Sequence, residues 1–121
     1  MNEISYIITG QQRGRIWYGR LQQRQIGEPT QVEFDWSWAL TREENRGDVL
    51  GFYHTHPTGH NSLSQRDIAT MQAWVSSLGK PLLCAIKGDQ LAAYLFQTDE
   101  DTGRLLPEIQ RFPRNIIICT E

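Results

Sequence analysis

Gly51-Phe52-Tyr53-His54-Thr55-His56-Pro57, continuing to Ser64-Gln65-Arg66-Asp67, is the stretch on which the reading of this chain turns. Val49 to Tyr53 is a short apolar run and reads as a strand. Pro57 and Gly59 punctuate a loop behind it. A helix then spans Ser64 to Leu78, with Ile68, Met71, Val75 and Leu78 at helical spacing on one face. Gly79 supplies its C-terminal stop, and Pro81 lies just beyond. Strand alternation sets His54 and His56 on one side, and Asp67 falls in the first turn of the helix. A strand end, a loop and a helix start can converge on one point. Two neutral imidazoles and one carboxylate make a three-ligand metal site with a fourth position open to water, the arrangement of a catalytic zinc and not a structural one. Two plainer readings compete. A His-Thr-His triplet alone is a weak metal signal, and Ser64-Gln65-Arg66-Asp67 alone reads as a capping box. The joint spacing is what favours the metal.

Outward from this stretch the chain mixes strands and helices. Ile4 to Thr9 is an apolar run ended by Gly10, and Arg15 to Leu21 pairs with it as a hairpin about the turn Gly10-Gln11-Gln12-Arg13-Gly14. Gln31 to Phe34 is a third candidate strand. Asp35 caps a helix from about Trp36 to Asn45 that ends near Gly47. Leu82 to Ile86 and Leu91 to Phe96 are strands around Lys87-Gly88-Asp89-Gln90, and Asn115 to Cys119 is a last strand. This order predicts one mixed α/β domain over residues 1–121, with helices packed on a curved sheet.

Composition narrows the function classes. Of 121 residues, 39% are hydrophobic and 21% charged, enough for one ordinary core and unlike a disordered chain. A formal net charge of -2 gives no global attraction to nucleic acid or to an anionic membrane. Arg13, Arg15, Arg20 and Arg24 lie between Ile4 and Gly27 with no acid among them, a basic hairpin surface. Cys84 and Cys119 sit in apolar runs and read as core residues, not as a metal knuckle or redox pair. No segment approaches the ~20 apolar residues of a membrane span, and Met1-Asn2-Glu3-Ile4 has no signal-peptide character. A cytoplasmic setting is expected.

With these residues in view, His54-x-His56, seven residues, then Ser64-x-x-Asp67 resembles the JAMM motif of the MPN+ (JAB) family of zinc metalloproteases. Pro57 and the approach Leu50-Gly51-Phe52-Tyr53 also fit. The resemblance implies a curved mixed sheet with flanking helices in a three-layer, cytidine-deaminase-like arrangement. It implies that His54, His56 and Asp67 bind one Zn2+ with a water as fourth ligand, and that Ser64 stabilises the oxyanion. The family also places a water-activating glutamate on an early strand, in a pattern like Glu-x-x-Gly-x-Leu-x-Gly. Glu3-Ile4-Ser5-Tyr6-Ile7-Ile8-Thr9-Gly10 matches at the glutamate, the apolar run and the last glycine, and departs at Tyr6. Glu3 is therefore the first candidate base and Glu33 the second. The family's usual helix before the glutamate strand is missing here, which leaves self-association open.

What the resemblance implies for function is hydrolysis of the bond after the C-terminal glycine of a ubiquitin or ubiquitin-like protein. The tail would bind extended along a sheet edge, and ubiquitin-like conjugating enzymes are further candidate partners. Two other readings stay in play: release of a sulfur-carrier protein from an adduct, and a scaffold like the metal-free MPN branch. A zinc deaminase is disfavoured, since His-x-Glu and Pro-Cys-x-x-Cys are absent. His60 reads as a loop residue or as a group that supports the ligands, because a fourth protein ligand would close the site.

Overall fold

Two long strands open the fold, β1 (Glu3–Arg13) and β2 (Ile16–Gly27), paired antiparallel along their length. The computed structural model describes residues 3–14, 16–27, 35–56, 63–98, 101–102, 110–111 and 116–119, with side chains up to residue 102. The hairpin is longer than its sequence suggested, and the reason is Gly10. It does not end β1; it lets β1 pass close to β2, where a Cβ would strike the Tyr18 carbonyl. The turn falls at Gly14 instead. An extra residue in β2 opposite the Ser5–Ile7 step forms a bulge, and Gln23 adopts a positive φ of 53° there. The candidate strand Gln31 to Phe34 lies outside the described residues.

Helix α1 (Trp36–Arg46) starts where Asp35 accepts the Trp38 N–H at 3.0 Å and stops at Gly47 in the left-handed region. Strand β3 (Val49–Thr55) follows, then α2 (Gln65–Leu78), β4 (Leu82–Lys87) and β5 (Leu91–Phe96). Short strands β6 (Gln110–Arg111) and β7 (Ile116–Cys119) sit at the two edges. The order is β6-β5-β4-β3-β1-β2-β7. The β3–β4 and β2–β7 pairs are parallel and the others antiparallel, so the sheet is mixed and the fold is α+β.

The parallel β3–α2–β4 crossover positions the site. Its helix must begin beside the carboxyl end of β3, where the two histidines stand. One core lies between sheet and helices: Ile7, Phe52, Cys84 and Ile86 pack with Ala39 of α1 and Met71, Trp74 and Val75 of α2. Trp36 stacks flat on Trp74 with ring centroids 3.5 Å apart. The opposite sheet face carries Ile8, Trp17, Leu50, Leu83, Ala85, Ala93 and Leu95. Both helices therefore cover one face, and the third layer implied by the resemblance is not among the described residues.

Two ion pairs fasten the end of α1. Arg42 grips Asp48 through two bonds of 2.8 Å, and Lys80 reaches Glu43 at 2.7 Å. Between Val49 and Gly51 the β1–β3 register slips by one residue, since Ile8 faces Gly51 but Thr9 faces Val49. Gly51 at this slip runs so close to β4 that a Cβ would collide with the Leu83 backbone.

Candidate metal centre

His54 and His56 leave the end of β3 on the side that faces α2. The strand end is held from both neighbours: Thr55 Oγ1 accepts the Ile4 N–H of β1 at 3.0 Å, and the His56 N–H donates to the Lys87 carbonyl of β4 at 2.9 Å. The imidazole centroids lie 4.7 Å apart with planes inclined by 60°. Asp67 meets them from the first turn of α2. Its Oδ1 is 3.0 Å from His54 Nε2 and its Oδ2 is 3.6 Å from His56 Nε2.

Ser64 fixes the carboxylate. Its Oγ accepts the Asp67 N–H at 3.0 Å, while its own N–H donates to Asp67 Oδ2 at 2.9 Å. This is a complete capping box. The capping reading and the site reading of these residues are thus the same geometry. Burial alone pushes the Asp67 carboxyl up, but the facing His54 imidazole and the bonds from Ser64 outweigh it and hold it below the ordinary carboxylate value.

Glu3 arrives from β1. Extending the Ser5–His54 register by two residues sets Glu3 opposite His56. One ligand atom from each of Glu3, His54 and His56 can be chosen so that all lie within 4.8 Å of one another, and all three residues are buried. Glu3, His54, His56, Ser64 and Asp67, far apart in sequence, are therefore brought to one place. Glu33, His60 and Pro57 lie outside the described residues.

The donor set suits a zinc ion. Two nitrogens and a carboxylate are a catalytic zinc's usual ligands. Each imidazole faces the Asp67 carboxylate, His54 Nε2 at Oδ1 and His56 Nε2 at Oδ2, and Glu3 lies close to both rings. Although His54 Nε2 lies close to Asp67, neither ring nitrogen of His54 makes a hydrogen bond among the described residues, and the ring is only 1% exposed. Its Nε2 is therefore not aimed along a bond to the carboxylate. A buried nitrogen left so is costly unless something else occupies its lone pair. Cys84, buried nearby, is a poor rival for chemistry, because burial, helped by the negative Asp67, pushes its thiol well above the usual value.

One buried polar side chain beside the histidines, Ser5, escaped the sequence reading. The signal was available: β1 begins with polar Glu3 and Ser5 alternating with Ile4 and Tyr6, and here the polar set is the buried one. Thr55, whose hydroxyl joins β3 to β1, gave no such signal.

Comparison with known proteins completes the picture. No curated protein matches the chain. A solved structure that it resembles is the solution structure of protein DSY2949 from Desulfitobacterium hafniense, with 15% identity, 99% of this chain and 80% of that chain covered, and a TM-score of 0.44. That likeness is too distant to carry an argument. Among the described residues no helix is long and apolar enough to cross a membrane. The family model described as prokaryotic homologs of the JAB domain matches residues 2–105, and with this span, which takes in the whole cluster from Glu3 to Asp67, the chain belongs to that family.

Proposed function

We propose that this protein is a zinc-dependent hydrolase that cuts the bond after the C-terminal glycine of a ubiquitin-like protein. The observation that carries the reading is the Asp67 carboxylate, set against the Nε2 atoms of both His54 and His56 in a buried site, with Glu3 close to both rings. His54, His56 and Asp67 would hold the ion. Asp67 is a better third ligand than Glu3, because the Ser64 backbone N–H already holds its Oδ2 while Ser64 Oγ fixes the Asp67 backbone. Zinc bound there supplies a positive charge that polarises a carbonyl and acidifies water to a pKa of about 7.

The chain's own groups do the rest. Glu3 faces the same space from β1, takes the proton of the attacking water and returns it to the leaving amine. Ser64 spends one lone pair on the helix cap, which leaves its O–H proton to donate to the developing oxyanion. The capped helix start holds that donor still. A purely scaffolding role is the weaker reading, since both ring nitrogens of His54 are buried and neither makes a hydrogen bond among the described residues.

The ubiquitin-like substrate rests on family membership and the shared motif. The test is metal content and cleavage, measured together on the native chain and Glu3→Ala. The expected result is one zinc per chain in both, with cleavage of a C-terminally extended ubiquitin-like precursor by the native chain alone. A folded native chain that takes up no zinc after reconstitution refutes the hydrolase. Equal cleavage by both removes Glu3 as base and turns attention to Glu33.

A further inference from the structure

We propose that Ser5 is a positioning residue of the metal centre, its Oγ accepting the Nδ1–H of His54 when Nε2 of that ring binds zinc. The inference rests on the zinc reading above and adds a residue to it. It begins with an inverted pattern. In a half-buried strand the apolar set faces the core, yet at the start of β1 it is Glu3 and Ser5 that are buried and Ile4 and Tyr6 that are partly exposed. Burying Ser5 to 3% exposure contributes little as packing and calls for a polar reason.

Register supplies the reason. Ser5 stands directly opposite His54 in the β1–β3 ladder, and both side chains point toward the helices. Directly opposed Cβ atoms on one face lie about 4.5–5.5 Å apart. From that spacing a serine hydroxyl can reach the Nδ1 of an imidazole. Two of the other neighbours are apolar. Across β3 on the β4 side His54 faces Ile86, and along the strand on the same face comes Phe52. Asp67 lies at Nε2, on the other edge of the ring. Glu3 is diagonal to His54 and directly opposite His56.

Chemistry closes the argument. A histidine that binds a metal through one nitrogen almost always donates the other N–H to an acceptor, which fixes its tautomer and its tilt. His54 Nδ1 is buried and has no such partner among the described residues. A serine hydroxyl accepts up to two bonds while donating one, so this role is compatible with any other bond Ser5 makes. A small rotation of the Ser5 hydroxyl or of the ring, as the metal draws Nε2 into line, completes the pair.

The experiment is zinc affinity by chelator competition on the full chain, with apo melting temperature beside it, for native protein, Ser5→Ala, Ser5→Thr and Ser5→Val. Ser5→Ala and Ser5→Val should bind zinc about 10–100-fold more weakly. Ser5→Thr, which matches valine in shape but keeps the hydroxyl, should recover most of the loss. Histidine ring NMR on the zinc-loaded native chain should show a His54 Nδ1 proton protected from exchange, and Ser5→Ala should lose that protection. This readout needs neither bulkier variant to fold. Native affinity in Ser5→Ala, or a freely exchanging Nδ1 proton in the native zinc form, overturns the proposal while leaving the hydrolase intact. A native chain that binds no zinc overturns the hydrolase, and this inference falls with it.

Discussion

Ser64 carries two duties on one oxygen, and they can be separated. Its Oγ accepts the Asp67 N–H at 3.0 Å as a helix cap, and its O–H is assigned to the oxyanion. Ser64→Ala removes both. Loss of the cap costs about 1 kcal/mol of stability. In a domain of this size that lowers the melting temperature by about 4 °C. Loss of an oxyanion donor costs about 2.7–4 kcal/mol of transition-state stabilisation, or roughly 10²–10³ in kcat. Ser64→Gly breaks the symmetry, because glycine at an N-cap costs only a few tenths of a kcal/mol yet offers no hydroxyl. The assay is kcat on a ubiquitin-like precursor beside a melting curve and zinc content for both variants. Both should lose the same 10²–10³ in kcat, with only the alanine variant clearly less stable. Zinc should persist in both, since the Ser64 backbone N–H still holds Asp67 Oδ2. A marginal domain destabilised by about 1 kcal/mol is still almost wholly folded, so unfolding cannot account for such a loss. If Ser64→Gly keeps native kcat, the donor role is refuted and Ser64 is a cap alone.

Glu3→Gln, which keeps the shape of the side chain, should retain zinc and lose about 10²–10⁴ of kcat; a loss of zinc instead would make Glu3 a ligand. Chelation should lower the melting temperature, because a ligand present at 100 times its Kd contributes about 2.7 kcal/mol; an unchanged melting curve would argue against a bound ion. The Asp48 carboxyl is held below its ordinary value chiefly by its bond to Arg42, against the upward push of burial. A lowered folded pKa stabilises above the unfolded value of 3.8 and fades as pH falls through the folded one. Acid titration of native protein and Asp48→Asn should therefore diverge above pH 4 and converge below it, and parallel curves would dismiss the pair. Gly51→Ala should destabilise on the order of 1–3 kcal/mol, as overpacking does, since its Cβ meets the Leu83 backbone; a native melting curve would show that β3 and β4 can separate freely.

What sequence reading recovered was local. His54 and His56 share a face by strand alternation, and Ser64 with Asp67 follows from helix-capping chemistry, so both were open to inspection before any fold was known. The family came with that motif, and the mixed α/β class with the order of strands and helices. Glu3 was different: its place beside His56 depends on β1 lying next to β3, a pairing that no local pattern encodes, and only the resemblance pointed to it. Gly10 misled, because a glycine needed for close strand approach looks like one that ends a strand. The core that joins Ala39 with Met71 and Trp74, which puts both described helices on one face of the mixed sheet, is made by tertiary packing that no local pattern spells out. Ser5 was passed over because one serine in a strand looks ordinary until its opposite number is known.

The slip between Val49 and Gly51 has a bearing on how this chain tolerates change. A pleated strand has a parity, and every residue after an insertion or deletion inherits the opposite one. Val49 and Phe52 both belong to the core beneath the helices while Leu50 belongs to the other face, so the strand changes parity once, inside this short interval. Everything downstream is set by that change, including the side on which both imidazoles emerge. One residue gained or lost between Val49 and His54 would turn His54 and His56 together away from Asp67, without altering a single ligand.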